Sequence, residues 1–159
     1  MFRLLQRLTW YFAVAGGLCG SLVAAMIVSS IIGRALFTRP IPGDVELTQF
    51  GIALCISLCL PWCQLHGANI MVDFFTQRMN ARVVRQLDAV GALLMAVMAA
   101  LLSWRTAVGA LGVREAHEAT MILDLPMWWV YASLAPGLAL AALVAIVQAA
   151  YYLAGRDLE

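Results

Sequence analysis

From Leu47 to Leu65 the chain reads LTQFGIALCISLCLPWCQL, with no ionisable side chain other than cysteine. At 1.5 Å per residue this run is about long enough to cross the hydrocarbon core of a bilayer. It reads as a membrane helix, and Pro61 near its end predicts a kink or an early stop. Trp62 fits an interfacial anchor. The residues that follow, His66 to Met79 (HGANIMVDFFTQRM), read differently. At roughly 100° per residue, Ile70, Met71, Val72, Phe74, Phe75 and Met79 fall within an arc of about 200°, and Asn69, Asp73, Thr76 and Gln77 occupy the rest. Arg78 alone falls on the apolar side, where its stem can snorkel. The pattern predicts a short amphipathic interfacial helix over about 68–79.

Outward from this point the same character holds. Apolar residues make up 64% of the chain, charged residues 12%, and mean hydropathy is +0.88. Such a composition excludes an ordinary soluble domain and predicts an all-α integral membrane protein of one domain. The net charge of +1 arises from scattered arginines, with no lysine. That is not a nucleic-acid footprint.

Four spans are predicted, at about 10–33, 46–65, 82–113 and 126–153. Arg3 and Arg7 precede the first and resemble the start of a signal peptide. Only Leu8 to Phe12 separates them from Ala13-Val14-Ala15, however, too short an apolar region, so an uncleaved span is expected. Along it, Ala13, Gly17, Ser21, Ala25, Ser29 and Gly33 recur every four residues. Small residues at this spacing let two helix backbones approach closely in lipid. Gly17, Ser21, Ala25 and Ser29 are therefore candidate partner-interface residues, or a packing face for the chain's own helices.

The loop RALFTRPIPGD (34–44) is broken by Pro40, Pro42 and Gly43. Asp44 is the expected N-cap of span two, and Glu46 suits the positive end of its dipole. Arg34 and Glu46 are expected to pair across the loop. Asn80 caps span three, whose charge-free part, Ala89 to Trp104, is only about 24 Å long. The helix is expected to run on through Arg105, which snorkels beside Trp104 or serves a function. Arg114 to Asp124 forms a loop or helix end. Pro126 is expected in the first turn of span four, with Trp128, Trp129 and Tyr131 as an aromatic belt.

The N-terminal tail, second loop and C-terminal tail hold six arginines against four in the other two loops. The positive-inside rule puts both termini and the amphipathic segment in the cytoplasm. There Arg78, Arg82 and Arg85, with Asp73, Phe74 and Phe75, are candidate lipid-contacting residues, each arginine contributing about 1 kcal/mol on an anionic surface.

The chemistry predicted absent is as informative. Every acidic residue falls in a loop or at a span end, so a carrier's mid-membrane charge is missing. His66 and His117, the only histidines, fall at opposite membrane faces and cannot share a haem. Cys55, Cys59 and Cys63 repeat every four residues on one helix without a Cys-x-x-Cys pair, which suits packing better than a metal or redox site. No catalytic residue, cofactor or metal is expected. The reading is a non-enzymatic accessory or scaffold subunit; the alternatives are a membrane anchor for a redox enzyme and a self-assembling small exporter.

Several motifs in order, Gly33-Arg34, Pro42-Gly43-Asp44-Val45-Glu46-Leu47, His66-Gly67-Ala68-Asn69-Ile70-Met71-Val72-Asp73, and Leu125-Pro126-Met127-Trp128-Trp129-Val130-Tyr131 with Pro136-Gly137, resemble the DctQ-like family. Its members are small membrane subunits of tripartite ATP-independent periplasmic (TRAP) transporters. The resemblance covers nearly the whole chain. It implies a large, DctM-like membrane partner that carries the substrate and sodium sites in an elevator-type movement. It also implies a periplasmic substrate-binding protein, organic-acid uptake, and a place in the bacterial inner membrane. Some relatives are fused to the large subunit; ending soon after Arg156, this chain is expected to be separate. Met71 stands where the family motif often has a basic residue.

Overall fold

The structure, a computed structural model, describes residues 2–37, 41–66 and 81–154. The described chain forms four long helices: α1 (Phe2–Phe37), α2 (Asp44–Leu65), α3 (Ala81–Glu115) and α4 (Trp128–Leu153). Each is long and apolar enough to cross a membrane. The predicted amphipathic helix at 68–79 lies outside the described residues.

α1, α2 and α3 outrun their predicted spans because backbone hydrogen bonding does not stop where hydrocarbon ends. α1 begins well before Trp10 and takes in Arg7, and its 36 residues make a rod of about 54 Å against a core of about 30 Å. Thr9 of α1, fully buried, is satisfied within its own helix, donating to the carbonyls of Leu5 at 3.0 Å and Gln6 at 3.1 Å.

The order of packing is α1 on α2, α2 on α4, and α4 on α3. The protein is thus a row of helices with α2 and α4 in the middle, and α1 and α3 each expose a long outer face. The α3–α4 seam is made of alanine. Ala89, Ala92, Ala96, Ala99 and Ala110 of α3 are buried, as are Ala141, Ala142, Ala145 and Ala149 of α4. The alternating three- and four-residue spacing on α3 keeps one seam in line, and side chains of this size let the backbones close up.

Two prolines mark the crossing of α2 and α4. Pro61 does not end α2, which continues to Leu65; neighbouring groups absorb the lost hydrogen bond instead. Pro61 cannot donate to the Ser57 carbonyl one turn earlier, and at that carbonyl α4 approaches most closely. A Cβ on buried Gly137 would overlap the Ser57 backbone and hydroxyl. Ser57 from α2 and Ser103 from α3 donate to the successive α4 carbonyls of Leu134 (2.8 Å) and Ala135 (2.9 Å), just ahead of Pro136.

The joint between α1 and α2 departs from the expected cap. Gly43 stands at the N-cap of α2 with φ 72°, and Asp44 is the first helical residue. Ser30 donates to the carboxylate of Asp44 at 2.6 Å. Only glycine takes that left-handed conformation without strain, and Leu123 fills the space where a Cβ would stand.

Pro126 is likewise displaced from its expected place. α4 begins two residues later, while Pro126 forms an isolated antiparallel bridge with Ala119. The Thr120 amide donates to the Leu125 carbonyl (3.0 Å) and the Met127 amide to the Glu118 carbonyl (3.0 Å). These bonds close residues 118–127 into a small hairpin-like loop. His117 just before it and Asp124 within it take left-handed φ values of 54° and 52°, a conformation these two residue types tolerate better than most.

Candidate functional site

The two ends of the helix row differ in what they hold. At one end the 118–127 loop folds back onto the start of α2. Glu46 accepts the backbone N–H groups of Ile122 at 2.9 Å and Leu123 at 3.1 Å, so the expected Arg34–Glu46 pair does not form. Arg34, 65% exposed, reaches Asp44 instead at 3.4 Å, because Asp44 lies nearer along the turn and Glu46 is taken by the loop. The loop tip points outward, with Met121 fully exposed and Ile122 mostly so. Beside it the Arg114 guanidinium sits over the Trp128 ring, 5.4 Å from its centroid, and Trp128 meets Trp129 edge-on at 6.0 Å. Trp129 is exposed and Trp128 half-buried.

At the other end Gln64 donates its side-chain amide to Gln148 Oε1 (2.8 Å), and Gln148 donates back to the carbonyls of Gln64 (2.7 Å) and Leu65 (3.2 Å). Leu5, Leu65, Leu140 and Val144 pack beside them, which brings the first turns of α1 to the same end as the last half of α4. His66 lies at this end and His117 at the other, both exposed.

Between the ends, Gly17, Ser21, Ala25 and Ser29 are all exposed on the outer side of α1. A Cβ on Gly17 would meet nothing within 4 Å. The hydroxyls of Ser21 and Ser29 donate back to Gly17 (2.9 Å) and Ala25 (2.8 Å), so the face is chemically quiet and shallow. The adjacent row is the one the chain packs through. Gly16 is buried, a Cβ there would stand 2.7 Å from Cys59 Sγ, and one on Gly20 would stand 3.1 Å from Cys55 Sγ. Cys55 and Cys59 are therefore packing residues that fill glycine notches. Cys19 approaches the Gly51 carbonyl at 3.6 Å in the same interface.

Of the lipid-facing candidates, Arg85 is half-buried and engaged in interactions within the protein. Arg82 is described only as helical backbone, and Asp73, Phe74, Phe75 and Arg78 lie outside the described residues. Arg105 and Trp104 are both exposed on α3.

Among the described residues, the buried polar side chains are Thr9, Ser30, Ser57, Gln64, Thr120 and Gln148, none of them ionisable. No buried side-chain polar atom lacks a hydrogen-bond partner. No group of three or more His, Cys, Asp or Glu side chains converges as a metal site there either. Such groups hold helices together.

Sequence reasoning missed the alanine seam, the Gly16–Gly20 row and the Gln64–Gln148 lock. Each left a trace: alanines spaced three and four apart, a second glycine pair beside the first, and single amides inside otherwise apolar runs.

Comparison with known proteins gives one family. The model for tripartite ATP-independent periplasmic transporters, DctQ component, matches residues 3–155, nearly the whole chain. No curated protein and no solved structure matches the chain.

Proposed function

Since this chain belongs to the DctQ family, the small membrane subunits of TRAP transporters, we propose that it is the non-catalytic brace of a sodium-coupled importer for organic acids. In this reading the large membrane subunit carries substrate and sodium, and a periplasmic binding protein delivers the substrate. The observation that carries the proposal is the interior itself. The buried polar side chains described are uncharged and each has a hydrogen-bond partner within the protein, so they offer no fixed charge to an anion or its coupling ion part-way across.

The outer face of α1 is the docking surface for the large subunit. The chain's own helices leave Gly17, Ser21, Ala25 and Ser29 uncovered, and small side chains at four-residue spacing suit close helix approach. The excess of arginine in the tails and second loop supports cytoplasmic termini, which puts the Glu46-anchored loop on the periplasmic side. Arg78, Arg82 and Arg85 then seat the scaffold on anionic lipid.

The test is a pull-down of the tagged chain from its native membrane. The reading expects a much larger polytopic protein to come with it. Recovery of this chain alone, under detergent conditions that keep other membrane complexes intact, would count against it.

A further inference from the structure

A groove of about 640 Å³ opens between the first turns of α1 and the end of α2, lined by Gln6, Arg7, Trp10, Tyr11, Trp62 and His66. We propose that it binds the head group of one anionic glycerophospholipid, its phosphodiester on Arg7 and its chains along α1 only as far as Val14 and Leu18, where the docking row of Gly17 to Ser29 begins.

Charge comes first. Among the described residues the groove's lining includes one cation, Arg7, and no acid. A guanidinium offers five N–H donors in a planar fork that matches a phosphodiester, and the Gln6 amide stands beside it. An ammonium head group would meet Arg7 as a like charge, so the groove selects against it.

The walls set the depth. Trp10 and Tyr11 on α1 are 49% and 63% exposed, with rings edge-on at 5.1 Å. Opposite them Trp62 stacks on His66 at 4.0 Å, tilted 37°. Amphipathic rings of this kind sit at head-group level. His66 Nδ1 lies 3.1 Å from the Trp62 carbonyl. A carbonyl only accepts, so this hydrogen bond needs a proton on Nδ1, which leaves Nε2 for a hydroxyl of a glycerol head group.

The acyl chains have a track to follow. Arg7, Tyr11, Val14 and Leu18 fall on one stripe of α1, within about 60° of arc, and Val14 and Leu18 are exposed. The groove's size is within the usual range for small-molecule sites, about 300–1,000 Å³.

Native mass spectrometry of the full chain, purified with whatever partner it carries, tests the assignment. Phosphatidylglycerol, phosphatidylcholine or inorganic phosphate is added at equal concentration. One phosphatidylglycerol is expected to be retained about tenfold more than phosphatidylcholine, because both offer the phosphodiester but only phosphatidylcholine brings an ammonium up to Arg7. Arg7→Gln should bring the two lipids to parity, while Arg7→Lys and the distant Arg105→Gln keep the preference. Equal retention by the unmodified protein, or an undiminished preference in Arg7→Gln, would overturn the proposal. Displacement of the lipid by inorganic phosphate would also overturn it, since the phosphoryl group alone would then be what is recognised. A co-purifying partner that shuts lipid out of the groove would do the same.

Discussion

Gln64 and Gln148 hold each other side chain to side chain and side chain to backbone, at 2.8 and 2.7 Å, in the buried end of the α2–α4 crossing. Between apolar helices in lipid such a pair fixes register as well as adding stability. Interhelical hydrogen bonds of this kind contribute about 0.6 kcal/mol on average and up to about 1.7. Gln148→Leu is expected to cost about 1 kcal/mol or somewhat more, because it also removes the Oε1 acceptor of the Gln64 amide. A double-mutant cycle with Gln64→Leu, read by denaturant unfolding in mixed micelles, should give a coupling of about 1 kcal/mol. Strict additivity would mean that the pair is incidental.

The two glycine rows of α1 are predicted to respond in opposite ways. Gly16→Leu should loosen α1 from α2, because Cys59 already fills the notch, at an overpacking cost of about 1–3 kcal/mol. Gly17→Leu with Ser21→Leu should leave the thermal stability of the isolated chain unchanged, since the space beyond Gly17 is open. The same pair should reduce recovery of the large subunit at least severalfold. Wild-type recovery would mean that this face is not the docking surface.

Glu46 is predicted to keep the 118–127 loop closed. Replacing it with Gln leaves one acceptor oxygen for two N–H donors, so amide hydrogen exchange at Ile122 and Leu123 should accelerate while that of the helix cores stays fixed. Gly43→Ala should act on the same joint from the other side, through its positive φ and its contact with Leu123. Unchanged exchange in both variants would show that the loop is held by other contacts.

At the proline crossing, Gly137→Val is expected to be the most damaging single substitution in α4. It forces backbone against the Ser57 hydroxyl and carbonyl, which have no flexible side-chain end to move aside. Expression as a monodisperse peak should fall sharply, whereas Gly112→Val, in open space on α3, should have little effect. Equal yields would place the close approach elsewhere.

What the sequence made legible follows from what decides each feature. The four spans were readable because length and the near-absence of charge set them locally, and Cys55 and Cys59 as packing residues followed from their spacing. Helix ends were less so: α1 runs back to Phe2 through Arg3 and Arg7 because arginine is a good helix former and long side chains reach water from the membrane edge. The partner of Glu46 was hidden because it lies 76 residues away in a loop whose closure depends on the Ala119–Pro126 bridge. Which row of α1 packs inward was also hidden. Both rows are small, and the choice is made by Cys55 and Cys59 on α2.

The central claim, that this row of helices braces a carrier and does not carry, is tested most directly by uptake of the labelled organic acid bound by its periplasmic partner into proteoliposomes under an inward sodium gradient. Vesicles holding only this chain are predicted to match empty ones, and accumulation should appear when the large subunit and the binding protein are added. Accumulation above background by this chain alone would contradict the account.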